Sequence, residues 1–211
     1  MNNYSVVLIG FCFVLSACGG DSGGGHIPEC GDPPPPREYA IVDYQISSRV
    51  HTEPVERATS NYGEPTPDAP VTWDYLSIVL ESDSTYYEVK AAPTHWSLFP
   101  TAAACSFAGP QPSQTITRVS VVSDNAYNDD YPAGSELAGI ASIYAYYYID
   151  GVELLSDFAS TDAPARESIQ FFFTEAPQYA NQSFTVTVEL DDGSIFVKST
   201  TDLILEGLPT P

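Results

Sequence analysis

The sequence predicts an all-β protein, an antiparallel β-sandwich that is immunoglobulin-like in the broad sense, with one or two short helices. About eight short segments alternate apolar and polar residues, which is the period of a half-buried strand. Turn-forming residues separate these segments, and no long stretch has the period of a helix. Hydrophobic residues make up 43% of the 211 residues, which is enough to build a core.

The first strands are predicted between residues 38 and 92. Apolar residues recur at alternate positions from residue 38 to residue 50, which predicts a strand. The residues expected on its buried face are Ala40, Val42, Tyr44, Ile46 and Val50. Residues 71–81 form the second predicted strand, with Leu76, Ile78 and Leu80 on one face. Residues 82–84 (Ser-Asp-Ser) are predicted to turn the chain into a hairpin that returns over residues 85–92.

The middle of the chain mixes strands with the predicted helical turns. Residues 115–123 are a strand candidate, and residues 125–134 are polar and typical of a loop. Residues 135–142 are expected to form one or two helical turns, because Ser135 is a good capping residue. Residues 143–149 are expected to form a strand, and residues 152–159 a second short helix.

The C-terminal third has the clearest alternation. Residues 167–174 predict a strand with Ile169, Phe171 and Phe173 on one face. Residues 184–190 and 194–199 predict a hairpin, because Asp192-Gly193 between them is a tight-turn signal. Residues 203–205 are expected to add an edge strand.

The N-terminus has the features of an export signal. Ten apolar residues (6–15) match the hydrophobic region of a signal peptide and are too few to span a bilayer. They end in Leu15-Ser16-Ala17-Cys18, which resembles the lipobox of bacterial lipoproteins, although residues 1–5 lack the usual Lys or Arg. The resemblance implies cleavage before Cys18, a lipid carrying palmitate on Cys18, and attachment to a membrane. Gly19 at the next position implies the outer membrane under the enteric sorting rule.

These features predict four regions. Residues 1–17 are the expected signal peptide, and residues 18–37 are a Gly- and Pro-rich tether that begins with the lipidated cysteine. Residues 38–206 are expected to form a single β-sandwich domain, and residues 207–211 a tail.

The remainder of the chain is similar to a family of uncharacterised lipoproteins of the Bacteroidetes type. The residues that carry this likeness are Cys30, the segment 119–134 and the closing hairpin 184–198. The likeness spans about residues 30–206. It implies a surface β domain without an assigned activity, so it transfers no catalytic residues.

The cysteines are consistent with an exported protein. Cys12 leaves with the signal peptide and Cys18 takes the lipid, so Cys30 and Cys105 remain. Export places these two in an oxidising compartment, and a Cys30–Cys105 disulfide is the expected pairing.

Charge limits the partners. The chain has 28 acidic and 7 basic residues, a formal net charge of −21. Nucleic acid and anionic membrane surfaces are therefore excluded as electrostatic partners. The negative charge could attract divalent cations or basic partners, but solubility outside the cell is the simpler explanation and the one we favour. The expected partners are the membrane, through the lipid, and a glycan or another envelope protein.

No catalytic site can be predicted. The three histidines, His26, His51 and His95, lack partners at the spacing of a metal or catalytic site. We therefore expect a non-enzymatic binding or structural module. A carbohydrate-binding protein is the first alternative. A hydrolase such as a glycosidase is the second, because glycosidases need only two carboxylates.

Two segments are candidate binding sites. The first is an oxygen-rich loop that could bind calcium, although its spacing differs from that of an EF-hand. A solvated turn between strands is the simpler explanation of this loop. Its candidate ligands are Asp124, Asn128, Asp129 and Asp130. No other cofactor is predicted. The second is a tyrosine-rich strand with Tyr144, Tyr146 and Tyr148 on one face, where exposed rings would stack on sugars. Tyrosine also suits a half-buried strand that binds nothing.

Overall fold

The fold is all-β in this computed structural model, which describes residues 35–55, 62–89, 109–145, 153–158 and 163–206. These residues belong to one compact unit, Pro34–Pro211. The described part of the chain contains strands, one 3-10 turn and the short helix α1 (Leu155–Phe158). Neither helical element has the length or hydropathy of a membrane span.

The strands are numbered in chain order. Their bounds are β1 Arg37–His51, β2 Tyr62–Gly63, β3 Pro70–Thr72, β4 Leu76–Glu88, β5 Gln111–Pro112, β6 Thr115–Ser123, β7 Ala141–Ala145, β8 Glu153–Leu154, β9 Ala163–Pro164, β10 Ser168–Phe173, β11 Asn181–Gln182, β12 Phe184–Leu190, β13 Ile195–Ser199 and β14 Leu203–Glu206. The 3-10 turn Trp73–Tyr75 separates β3 from β4.

The described strands form three sheets. The large sheet has the order β2-β1-β4-β10-β7-β8, with β5 alongside β1. The four-stranded sheet has the order β13-β12-β6-β9, and the three-stranded sheet has the order β11-β14-β3. Most neighbours are antiparallel, but β5 pairs with β1 and β14 pairs with β3 in parallel.

A single hydrophobic core joins the three sheets, which is the arrangement of a sandwich. Buried side chains of the large sheet, such as Phe171, belong to the same cluster as Phe184 of β12 and Leu205 of β14. At one corner, the Tyr44 ring meets Phe196 of β13 edge-on, with ring centroids 5.4 Å apart. Beside this contact, Lys198 Nζ lies 2.8 Å from Asp43 Oδ1, so β1 and β13 are joined by packing and by an ion pair.

Strands β12 and β13 confirm the prediction from the two-residue period. β14 is also present, but it is the central strand of its sheet and not the predicted edge strand, because it pairs with both β11 and β3. Burial in β12 alternates strictly, with Phe184, Val186, Val188 and Leu190 inside. The Asp192-Gly193 turn is also present, and Gly193 has a φ of 87°, which glycine adopts without strain. The strand predicted at residues 115–123 is β6.

The prediction of which β1 side chains are buried is wrong for the first half of the strand. Ile41 pairs with Ser84 and Asp43 pairs with Asp83, so Val42 is an extra residue in a β-bulge. The bulge changes which residues face inward. Ile41 and Tyr44 are buried, whereas Val42 is 60% exposed. A bulge of one residue reverses the alternation, and the sequence pattern alone does not reveal it.

The predicted hairpin at residues 82–84 is absent. β4 runs without a turn from Leu76 to Glu88, because Ser82, Asp83 and Ser84 all pair with the long strand β1. The predicted strand over residues 71–81 is also interrupted by the 3-10 turn. This interruption places Val71 in the three-stranded sheet and Leu76 in the large sheet.

The predicted helical turns at residues 135–142 are replaced by an extended segment and a turn. Glu136 forms a bridge with Val122, and the Leu137 N–H donates to the Val121 carbonyl at 2.8 Å. The Leu137 carbonyl then accepts from the N–H groups of Ile140 at 3.0 Å and Ala141 at 2.8 Å, so the chain makes a single turn there and no helix. β7 then begins at Ala141. The second predicted helix is present in shortened form as α1.

Candidate functional site

A cleft of about 880 Å³ lies where the three sheets of the described structure meet. It is lined by residues 46–48 of β1, residues 64–69 before β3, Asn125, residues 181–182 of β11 and residues 199–204. These five segments are distant in sequence, and the sheet topology alone brings them together.

One wall of the cleft is a conformationally restricted loop. Pro65 and Pro67 fix two backbone φ angles in it, and the Ala69 N–H donates to the Thr66 carbonyl at 3.1 Å. Asp68 closes this turn with a φ of 59°, in the left-handed region that aspartate tolerates better than most residues. The Asp68 side chain is exposed at the cleft.

The opposite segments are held by Gln182, which is fully buried. Its amide nitrogen donates to the carbonyls of Ala126 at 2.9 Å and Tyr179 at 2.8 Å. Its Oε1 accepts a hydrogen bond of 2.7 Å from Ser123 Oγ. One buried amide therefore fixes the backbone beside both exposed asparagines of the cleft, Asn125 and Asn181.

The lining is polar and its charge is negative. Hydroxyl groups come from Ser47, Ser48, Thr66 and Thr201, amides from Asn125 and Asn181, and carboxylates from Glu64, Asp68 and Asp202. None of the described lining residues is basic or aromatic. Such a surface recognises a ligand through hydrogen bonds, and it opposes negatively charged ligands.

The calcium candidates lie in the loop between β6 and β7, where their oxygens bind protein groups. Asn128 Oδ1 accepts from the backbone N–H groups of Asp130 at 3.0 Å and Tyr131 at 2.9 Å. Asp124 Oδ1 accepts from Thr185 Oγ1 at 3.0 Å, and Asp129 Oδ1 from the Tyr179 hydroxyl at 3.4 Å. No group of three or more acidic, His or Cys residues among those described is placed to hold a metal ion. Calcium binding stays a prediction.

Most of the other predicted site residues lie outside the described residues. These are Cys18, Cys30, Cys105, Tyr146 and Tyr148. Tyr144 lies in β7 opposite Gln170 of β10, and its side chain is partly buried. Sugar binding by the tyrosine-rich strand and the Cys30–Cys105 disulfide therefore stay predictions.

His51 takes part in a buried polar cluster that the sequence did not predict. Its Nε2 lies 2.8 Å from Ser77 Oγ and 3.4 Å from the Gln170 amide nitrogen. All three residues face away from the main core, on the second face of the large sheet, which is also buried. Ser77 is completely buried, so its hydroxyl is not accessible to a substrate.

Burial, together with the nearby Arg49 charge, lowers the pKa of His51 below its ordinary value. At mildly acidic pH, His51 is therefore protonated more readily in the unfolded chain than in the folded chain. The free energy of unfolding consequently falls as the pH drops through about 6.5, the ordinary pKa of histidine. We expect the melting temperature to decrease between pH 7.5 and pH 5, and to decrease less in His51→Gln. An equal decrease of the melting temperature with pH in the two proteins would contradict this prediction.

No protein-family model, curated protein or solved structure matches this chain. What the protein does is therefore inferred from its residues and their geometry, and the cleft is the site with the clearest chemistry.

Proposed function

We propose that this chain is an envelope lipoprotein, held at the outer membrane by a lipid on Cys18, whose β domain is a non-enzymatic binding module. The anchor rests on the sequence Leu15-Ser16-Ala17-Cys18. The single observation that supports binding is the cleft at the junction of the three sheets. Its volume is in the range of ordinary ligand sites, about 300–1,000 Å³.

The ligand class that the lining fits best is a carbohydrate. Sugar hydroxyls both donate and accept hydrogen bonds, and the lining offers groups of both kinds. Ser47, Ser48 and Thr201 can donate or accept, the Asn125 and Asn181 amides can do both, and Asp202 accepts. This site is the favoured location for a glycan, because its polar side chains are open to solvent, whereas Tyr144 of the tyrosine-rich strand is partly buried.

Thermal shift with a glycan panel tests this proposal. The Cys18→Ser form of the chain is purified without lipid and heated with neutral oligosaccharides and polysaccharides, with and without calcium. A ligand at a hundred times its dissociation constant should stabilise the fold by about 2.7 kcal/mol. We expect one glycan class to raise the melting temperature, and Asn125→Ala combined with Asn181→Ala to abolish the shift.

Thr187→Ala is the matched control, because Thr187 lies on the outward face of β12 and does not line the cleft. It should keep the full shift. A shift that survives in the double asparagine variant would place the ligand elsewhere. An absence of any shift across the panel would contradict the carbohydrate assignment.

A further inference from the structure

We infer that the cleft selects oligosaccharides of amino sugars with free amines over neutral sugars, and rejects acidic ones. The inference rests on the proposed function, since it names the charge of the glycan that the same cleft would take. It is carried by the composition of the lining as a whole, in which hydroxyls and amides are combined with carboxylates and with no basic side chain.

The three carboxylates of the cleft come from two chain segments that the fold places side by side. β14 pairs in parallel with β3, and Ile204 lies opposite Pro70. Asp202 and Asp68 each precede this pair by two residues, so they lie at the same end of the two strands. Glu64 is in the same loop as Asp68. A cationic group in the cleft is attracted to all three of these negative charges.

These carboxylates have no basic partner in the described structure. The ion pairs there involve Arg49, Arg118 and Lys198 with other acids, and none of them reaches Glu64, Asp68 or Asp202. All three acids are exposed at the cleft. A ligand can therefore reach them without breaking an ion pair among the described residues.

A ligand that carries several separate positive charges fits the site better than a single metal ion does. The described acidic, His and Cys residues include no group of three close enough to hold a metal. An ammonium group donates up to three hydrogen bonds, and a chain of amino sugars presents one such group on each ring. The sugar hydroxyls would then bind the serine, threonine and asparagine side chains. A glycan carrying carboxylates would face the same three acids and be repelled.

The test compares three hexasaccharides by titration calorimetry on the Cys18→Ser chain at pH 6 and low salt. The probes are a glucosamine hexamer, its N-acetylated counterpart and a galacturonate hexamer. We expect the order of affinity to be amine, then neutral, with no detectable binding of the acidic hexamer. Each exposed ion pair is expected to contribute about twofold to fivefold in affinity, and 0.5 M salt should reduce the preference for the amine.

Two variants with the same change in net charge separate the cleft from the overall charge of the protein. The first is a triple variant of the cleft, Glu64→Gln, Asp68→Asn and Asp202→Asn. It should bind the glucosamine hexamer only as tightly as the N-acetylated hexamer. Asparagine keeps the left-handed conformation at residue 68 accessible. Asp83→Asn with Glu88→Gln and Glu175→Gln changes three exposed acids outside the lining and should keep the preference.

The outcomes are distinguishable. Equal affinity for the amine and neutral hexamers would overturn this inference and leave carbohydrate binding intact. An equal loss of the preference in both triple variants would show that it comes from the net charge of −21, and would also overturn the inference. A failure of all three hexamers to bind would count against the proposed function as well.

Discussion

Replacement of Phe184 by alanine is expected to lower the free energy of unfolding by about 3–5 kcal/mol. Phe184 is completely buried. Its ring stacks on Phe173 with centroids 4.7 Å apart and lies 6.4 Å from the Tyr127 ring. Truncation removes contacts between the large sheet and the four-stranded sheet and leaves a cavity between them. Chemical denaturation measures the effect, and the melting temperature should fall by about 6 to 20 °C.

Two further variants serve as controls for Phe184→Ala. Ile195→Ala removes a side chain that is 62% exposed and should change the free energy of unfolding by no more than about 0.5 kcal/mol. Phe184→Leu should give a smaller loss than alanine, and it provides a measurable protein where the alanine variant does not fold. A Phe184→Ala loss no larger than that of Ile195→Ala would mean that the two sheets do not share this core.

Replacement of Cys18 by serine is expected to abolish lipid attachment. The thioether that would hold the lipid needs the Cys18 sulfur, and two or more acyl chains are what keep such a protein on a membrane. In cells fed labelled palmitate, the wild-type chain should carry label and sediment with membranes. The Cys18→Ser chain should carry none and leave the membrane fraction.

Cys12 supplies the matched control, because it is a cysteine in the segment expected to be removed. Cys12→Ser should keep both the label and the membrane location. Label retained in Cys18→Ser would show that the lipobox assignment is wrong. Label lost in both variants would point to a general failure of export rather than to the acylated residue.

The sequence predicted strands well where one face of a strand is buried and the other is open. In residues 184–190 the hydrophobic pattern and the observed burial agree at every position, because the packing follows the two-residue period. The same holds for the Asp192-Gly193 turn, whose conformation depends on local backbone preferences.

The failures arose where distant pairing outweighed local preference. Ser82 to Ser84 has the composition of a turn, yet thirteen residues of β4 stay extended because β1 pairs along them. Ser135 is a good helix cap, yet the segment after it bonds to β6. Strand propensity and turn propensity are weak compared with a continuous ladder of backbone hydrogen bonds.

The cleft itself was beyond prediction from the sequence. Ser47, Asn125, Asn181 and Asp202 are ordinary polar residues, and no motif links them. Residues 52–70 are rich in Pro, Thr, Glu and Asp, which indicates a loop but not what the loop faces. The His51–Ser77 pair was likewise hidden, since it depends on the register of β1 against β4.

The parallel pairing of β14 with β3 limits the order in which the parts of this domain can fold. Ile204 and Pro70 are about 130 residues apart, so their contact carries one of the largest loop-closure costs in the fold. Domains dominated by such non-local contacts fold slowly. The three-stranded sheet, and with it the cleft, cannot assemble until residues 203–206 are available to pair with β3. Until then β3 lacks its partner strand, and Val71, which is buried in the native domain, is left uncovered. Folding of the chain thus depends on its last described strand, both to cover this part of the core and to complete the cleft.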